Sequence, residues 1–258
     1  MKTLIKNKVV FIAALLLCAG LIASCSEEFL DRYPKDQPSP ENFFINEVSA
    51  RQTNTAIYNF WLRGSNMHQR DMMIIFDGMT DDVLWRQNRS ASIQQERWDI
   101  TPSHGTITDY WRRIYRSINA CNYAIENIPT ITDENFTDEL ESQYVAEARF
   151  MRGFNYLFLV TFYGEVPLIT SFLSEFDEFS NPRASLENLY GQIIEDFTFA
   201  KDNLPDKWDA AYSGRPTRAA GAAYLAKTLL YMGNYSGAET AARNAITIAE
   251  GDGFALMD

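Results

Sequence analysis

The order of apolar and polar positions predicts a chain built almost entirely of helices. Between about residues 108 and 128, apolar side chains recur at steps of three and four, the spacing of one helix face. From about residue 138 to 163 a longer stretch becomes apolar on nearly all sides after Phe150, which indicates a buried helix. Gly164 and Pro167 follow it as helix-stop residues.

Two further helices flank this pair. Ser39, Pro40 and Glu41 supply an N-cap, a first-turn proline and a favourable acid for a helix that runs to about Leu62. Ser185 caps another helix, whose apolar face consists of Leu189, Ile193, Phe197, Ala200 and Leu204. Residues 63–104 have mixed periodicity, so they are interpreted as an irregular, loop-rich insertion.

The last two helices, residues 217–232 and 236–249, are predicted to pair around a turn at Gly233. Their pattern of small and apolar residues matches a tetratricopeptide-like helix-turn-helix unit, and the fold class is therefore all-α with a tetratricopeptide-like scaffold. One such unit leaves an apolar face without a partner. Either the earlier helices supply that partner or further sequence follows residue 258. We expect the latter, and exposure of these side chains: Leu225, Leu229, Ile246 and Ile248.

The N-terminus has the character of a secretion signal. Three lysines precede an apolar run over residues 9–23, which is shorter than the roughly 20 residues of a membrane-spanning helix. Ile22-Ala23-Ser24-Cys25 looks like a bacterial lipobox, which predicts cleavage before Cys25 and a diacylglycerol on its sulfur. The predicted organisation is a lipoprotein signal peptide over 1–24, a polar tether over 25–38 and a helical domain over 39–258.

Charge and cysteine content narrow the functional classes. The chain has 23 Lys and Arg against 34 Asp and Glu, a net charge of −11, which becomes −14 when the three lysines of the signal are removed. A field of this sign repels phosphate backbones, so no nucleic-acid partner is expected. With Cys18 in the signal and Cys25 lipidated, Cys121 remains alone, and no intramolecular disulfide is predicted.

The residue types of common catalytic sites are not arranged in their usual motifs. His68 and His104 are the two histidines, and neither belongs to an H-E-x-x-H pattern. No phosphate-binding glycine loop and no G-x-S-x-G turn occurs in the sequence. The Asp81-Asp82 pair is interpreted as part of a solvated loop, so the sequence predicts neither an enzyme nor a metal or cofactor site.

Aromatic residues carry the functional hypothesis. Sugar rings present apolar C–H faces that stack on indole and phenol rings, while their hydroxyls need a few polar partners. Trp85, with Arg86 and Asn88 beside it, offers that combination, although a packing role for Trp85 is an equal alternative. Trp98 is a further ligand candidate for which a structural role is favoured. Two tryptophans at helical spacing are interpreted as core residues: Trp61 and Trp111.

Several motifs, in order, resemble the SusD/RagB family. The most diagnostic segments are EARFMRGFNYL at 147–157 and FYGEVPL at 162–168. Around them stand ENFF at 41–44, WxxxYxxIxxxN at 111–122, ExxYxxIIxD at 187–196 and GRPT at 214–217. The resemblance extends from Cys25 to the last residue.

The resemblance implies a tetratricopeptide-like scaffold that bears an irregular ligand-binding region. Family members are lipoproteins on the surface of the outer membrane, where they cap a TonB-dependent, SusC-like transporter and bind oligosaccharides or, in some members, peptides, without catalysis. Because they are about twice as long, the C-terminal half is expected to be missing here. The residues alone leave two alternatives open: the helical part of a surface-anchored hydrolase, and a tetratricopeptide-like protein-interaction module.

Two arginines of the diagnostic helix are expected to be structural. Arg149 and Arg152 lie on a helix predicted to be buried, where a guanidinium needs an acidic partner. Candidate partners are Glu147, Glu165 and Asp196.

Overall fold

A computed structural model describes residues 43–62, 76–82, 93–94, 96–101, 103–174, 181–251 and 253. Its principal helices are α1 (Glu47–Leu62), α2 (Gly105–Asn127), α3 (Asp138–Tyr163), α4 (Leu186–Asn203), α5 (Arg218–Tyr231) and α6 (Tyr235–Gly251), with 3₁₀ turns at Ile128–Thr130 and Ala210–Tyr212. Extended pairing within the described residues is limited to one antiparallel bridge between Pro167 and Arg183. The all-α prediction is confirmed.

Consecutive helices pack against one another. Helix α3 lies between α2 and α4, α5 packs on α4, and α6 packs on α5, while α1 covers α2 and α3. Such nearest-neighbour stacking is typical of helical repeat architectures. The core is densest around α3, where Tyr156 and Leu159 are fully buried together with Ile114 of α2 and Phe197 of α4.

The ends of α3 and α4 follow from local sequence. The Thr137 hydroxyl accepts a hydrogen bond from the Leu140 amide (3.3 Å), and three acids in the first turn of α3 lie at the positive end of its dipole. Gly164, at φ +69°, ends α3 in a conformation that favours glycine. The Ser185 hydroxyl caps α4 in the same way as Thr137 caps α3 (3.3 Å to the Asn188 amide), so both predicted helices are confirmed.

Two glycines allow adjacent helices to approach closely. A Cβ on Gly153 of α3 would lie 3.2 Å from the Asp196 Cβ of α4. A Cβ on Gly221 of α5 would lie 2.7 Å from the backbone nitrogen of Lys201, a distance that forces the backbones apart. These contacts explain why small residues occur inside two helices that are otherwise well formed.

Two predicted helix bounds differ from the structure. The continuous helix predicted from residue 39 to Leu62 is wrong, because residues 44–46 are not helical and α1 begins at Glu47 with Asn46 as its cap (3.3 Å from Oδ1 to the Ser49 amide). The predicted Ser39 cap lies outside the described residues. Helix α2 begins three residues earlier than predicted, at Gly105, since a helix can extend beyond its apolar stripe into polar sequence.

The predicted C-terminal pair is present as α5 and α6, but its exposed side chains differ from those expected. Ile246 is exposed, whereas Leu225, Leu229 and Ile248 are half-buried between the helices. The exposed apolar side chains of this region cluster instead around the turn, where neither neighbouring helix reaches them: Leu230, Tyr231, Met232 and Tyr235. Among the helices that the structure describes, none is both long enough and apolar enough to cross a membrane.

Candidate functional site

A groove runs along one face of α2. Trp111, Tyr115, Asn119 and Tyr123 line it at four-residue steps, and side chains at this spacing lie above one another on a helix. The row therefore extends for about 18 Å. This α2 groove has a volume of about 1050 Å³, and its remaining lining residues are Phe60, Thr108, Arg112, Arg116, Ala120, Pro167, Ile169, Phe172, Leu173 and Ser174.

Aromatic rings form much of the groove surface. The Trp111 ring centroid lies 4.9 Å from that of Tyr115 and 4.9 Å from that of Tyr163. At the other end the Tyr123 ring lies 4.9 Å from the ring of Phe172. Trp111, Tyr115 and Tyr123 are each half-buried, so their mutual packing fixes them while part of each ring remains open to the groove.

The wall opposite α2 is the extended segment 167–174, which polar side chains of α2 hold in place. Asn119 donates to the Leu173 carbonyl (3.0 Å) and accepts from the Leu173 amide (2.8 Å). Glu126 accepts a hydrogen bond from the Phe172 amide (2.8 Å). An irregular segment bonded to a helix through its own backbone keeps the groove width fixed.

A buried arginine supports this wall from behind. The Arg152 guanidinium donates to the Asn122 side-chain oxygen (3.0 Å) and to the Thr170 carbonyl (3.2 Å), and Asn122 in turn donates to the Ile169 carbonyl (3.1 Å). The remaining N–H donors of Arg152 form an ion pair with Asp196 of α4. Burial lowers the pKa of Arg152, but the hydrogen bonds and the charge of Asp196 raise it by more, so the guanidinium stays charged.

The expected ion pairs of the diagnostic helix are confirmed for Arg152 and only partly for Arg149. Arg149 pairs with Glu195, whose carboxylate is largely exposed, at 3.2 Å. Glu147 pairs with neither of these arginines. Its fully buried carboxylate instead accepts from Arg215 of the GRPT motif (3.1 Å).

The Glu147 network joins three separate parts of the chain. The Glu147 carboxylate, which Arg215 contacts, also accepts hydrogen bonds from Tyr58 (2.6 Å) and Asn54 (2.9 Å) of α1. Burial raises the pKa of the Glu147 carboxyl, and Arg215, Tyr58 and Asn54 oppose that rise. The guanidinium of Arg215 also lies 5.5 Å from the Trp208 ring centroid. The motif residues therefore stabilise helix packing and do not form a reactive cluster.

Four of the sequence-predicted site residues lie outside the described part of the chain: Cys25, Trp85, Arg86 and Asn88. Trp98 is described, and 68% of its side chain is exposed, so it does not anchor a packed loop. Its backbone has φ +56°, a left-handed conformation that bulky residues rarely adopt. Asp81 and Asp82 are exposed in a turn, in agreement with the solvated loop that was predicted.

Trp61, 4% exposed, is a core residue as predicted, whereas Trp111 is only partly buried: it packs against the core and also lines the α2 groove. Periodicity placed Trp111 on the apolar stripe of α2, and it is on that stripe. At this end of the stripe the Trp111 ring packs on Tyr163, the last residue of α3, and the rest of the ring borders the groove. The four-residue spacing of Trp111, Tyr115, Asn119 and Tyr123 was the available sequence signal for this site.

The described residues contain no group of three or more metal-ligating side chains. The polar groups of the α2 groove are amides, hydroxyls and arginines, which can orient a ligand by hydrogen bonds. The site is therefore suited chemically to binding a ligand with both apolar faces and hydrogen-bonding groups.

Comparisons with known proteins agree with the motif order. A SusD-like protein of Bacteroides ovatus is 26% identical over 268 residues, an alignment that includes all of this chain and 46% of the relative. This chain thus spans about half the length of the curated relatives it matches. A crystal structure of a SusD-like protein from Bacteroides fragilis superimposes with a TM-score of 0.73 at 23% identity, over 88% of this chain and 42% of that one.

A laminarin-binding SusD-like protein superimposes with a TM-score of 0.67 at 25% identity, over 77% of this chain and 43% of that one. The sequence pattern of one family, described as starch-binding and associating with the outer membrane, matches residues 28–230. Since that match includes well over half of the chain, the protein belongs to the SusD-like family.

Proposed function

We propose that this protein binds oligosaccharides at the cell surface and does not catalyse their cleavage. The observation that carries the proposal is the α2 groove, with the half-buried rings of Trp111, Tyr115 and Tyr123 beside the amide of Asn119. Aromatic faces of this kind stack on the apolar faces of pyranose rings, and the amide can bond their hydroxyls. The laminarin-binding relative supports a saccharide ligand over other small molecules.

Trp98 is proposed as a second contact for the saccharide because its ring is exposed. We propose that the same binding surface includes Trp85, Arg86 and Asn88, because they combine an aromatic ring for stacking with polar side chains for sugar hydroxyls. An extended glycan could then contact both the groove and this aromatic region of the chain.

Binding should be measured by calorimetry with laminari- and malto-oligosaccharides against the full chain. Trp111→Ala and Tyr123→Ala should each weaken binding by about two- to tenfold, since one aromatic stacking contact contributes about 0.5–1.5 kcal/mol. The control is Tyr235→Ala, which removes an exposed ring from α6, away from the groove. Equal affinity for all four proteins, at unchanged melting temperature, would exclude the groove as the binding site.

We further propose that Cys25 carries a lipid that anchors the protein in the outer membrane. The Ile22-Ala23-Ser24-Cys25 sequence supports this, as does the family's association with that membrane. Two or more buried acyl chains give stable anchoring where a single chain is marginal. Mass spectrometry of the mature N-terminus should find a lipidated cysteine, and Cys25→Ala should appear in the soluble fraction. An unmodified Cys25 in membrane-bound protein would contradict the proposal.

The proposed partner is a TonB-dependent, SusC-like transporter, which the protein would cap and supply with glycan. The support is family membership, which is an argument by analogy. Mild detergent extraction of native outer membranes followed by affinity purification should recover such a transporter. Recovery of the protein alone, with its lipid anchor intact, would argue against the partnership.

A further inference from the structure

The α2 groove has a charge that is opposite to the charge of the whole protein. The chain carries −11, yet among the described residues the groove lining contains two arginines, Arg112 and Arg116, and no aspartate or glutamate. The two acids of α2, Asp109 and Glu126, are not lining residues, and Glu126 is engaged by the Phe172 amide. Two guanidinium groups at the edge of a groove on an acidic protein provide local complementarity to an anion.

The two arginines occupy positions that match the aromatic row. Arg112 follows Trp111 and Arg116 follows Tyr115, all four residues line the groove, and the two pairs are about 6 Å apart along the helix. Both arginine side chains are exposed at the edge of the groove. A polymer lying along α2 could therefore place one ring on an aromatic face and its charged substituent on the adjacent guanidinium.

The two guanidinium groups differ in how much of their charge is already neutralised. Arg112 forms an ion pair with Asp109 one turn earlier, at 3.3 Å, in which both side chains are half or more exposed. Arg116 has no acidic partner within the part of the chain that the structure describes. Arg116 is therefore the stronger candidate to bind an anion, since guanidinium pairs well with planar or tetrahedral oxyanions through two parallel hydrogen bonds.

We propose that the α2 groove binds an acidic oligosaccharide, one whose sugar rings carry carboxylate or sulfate groups. The proposal rests on the saccharide binding proposed above and adds the chemical class of the ligand. The aromatic row supplies the surface for the sugar rings, and Arg116, with Arg112, supplies the selectivity for the charge.

The test compares oligosaccharides of equal length by calorimetry: tetragalacturonate, a sulfated tetrasaccharide and neutral maltotetraose. At least one acidic probe should bind tenfold or more tightly than maltotetraose. Arg116→Gln should weaken acidic binding about tenfold, and Arg112→Gln less, in line with the loss of a charge-assisted hydrogen bond. Both variants should weaken the binding of maltotetraose by a smaller factor than the binding of the acidic probes. The carboxylated and sulfated probes identify which oxyanion is preferred.

The matched control is Arg243→Gln, which removes the same charge from an exposed ion pair on α6. It should change the affinity for no probe. Equal or tighter binding of maltotetraose, with no effect of Arg112→Gln or Arg116→Gln, would overturn the acidic class and leave saccharide binding intact. Binding of an oligoglutamate peptide in place of any saccharide would overturn it as well. If no oligosaccharide binds, the proposed function fails, and this inference fails with it.

Discussion

Arg152 of α3 and Asp196 of α4 meet through two parallel hydrogen bonds, 2.9 Å from Nε to Oδ2 and 2.7 Å from Nη2 to Oδ1. Their side chains are 4% and 0% exposed. The pair lies beside Gly153, where the missing Cβ lets the two helices approach. The same arginine reaches the Thr170 carbonyl behind the groove wall, so one buried charge connects the helix packing with the shape of the α2 groove.

Arg152→Met is expected to reduce the free energy of unfolding by about 3–5 kcal/mol, because it leaves the Asp196 carboxylate buried without its partner. The double variant Arg152→Met, Asp196→Leu removes both charges and should recover most of that loss. Urea unfolding followed by circular dichroism measures the free energy of unfolding of the single and the double variant. A single variant as stable as the original protein would show that the pair does not hold α3 to α4.

Two buried tyrosines, Tyr156 and Tyr110, differ in whether their hydroxyl is hydrogen-bonded, so their Tyr→Phe variants can be compared directly. Tyr156 donates to the Ile169 carbonyl (2.9 Å) and accepts from the Ile169 amide (2.7 Å), whereas the Tyr110 hydroxyl has no hydrogen-bond partner among the described residues. Tyr156→Phe should lower the free energy of unfolding by about 1–3 kcal/mol, since it leaves the buried Ile169 amide unpaired and removes one of the two donors to the Ile169 carbonyl. Tyr110→Phe should be neutral or stabilising. Equal destabilisation by the two variants would contradict this assignment.

Trp98 should be replaceable by glycine without loss of stability. It follows a short helical turn, and the Asp99 amide bonds back to the Gln94 carbonyl (2.8 Å), the arrangement in which a helix ends on a left-handed residue, most often glycine. A non-glycine residue in this conformation costs about 1–2 kcal/mol. Trp98→Gly should therefore be about 1 kcal/mol more stable than Trp98→Ala in thermal unfolding. If both weaken saccharide binding equally, the ring itself contacts the ligand.

The C-terminal helix should open more often than the centre of the fold. In α6 the buried positions are Ala238 and Ala245, and its packing partner is α5, while α3 is buried between two helices. Native-state hydrogen exchange should give backbone amides of α6 protection well below that of α3, because few apolar contacts resist local opening. Equal protection in the two helices would mean that α6 is as firmly held as the core.

The sequence alone determined where most of the helices lie. Caps, stop residues and a periodic apolar stripe mark the position of a helix, and all three are local features of the sequence. The cap at Ser185, the stop at Gly164 and the bounds 138–163 of α3 were predictable for that reason. The start of α1 was not, since the break at residues 44–46 that makes Asn46 its cap is not visible in the pattern.

Only the tertiary structure decided what each apolar or charged face contacts. Trp61 and Trp111 have similar surroundings in sequence, yet one is buried in the core and the other lines the α2 groove. Glu147 was expected beside Arg149 or Arg152 and instead pairs with Arg215, 68 residues away. Periodicity gives the direction of a side chain from its own helix. What it meets there depends on neighbouring segments, whose positions are set by packing between residues distant in the chain.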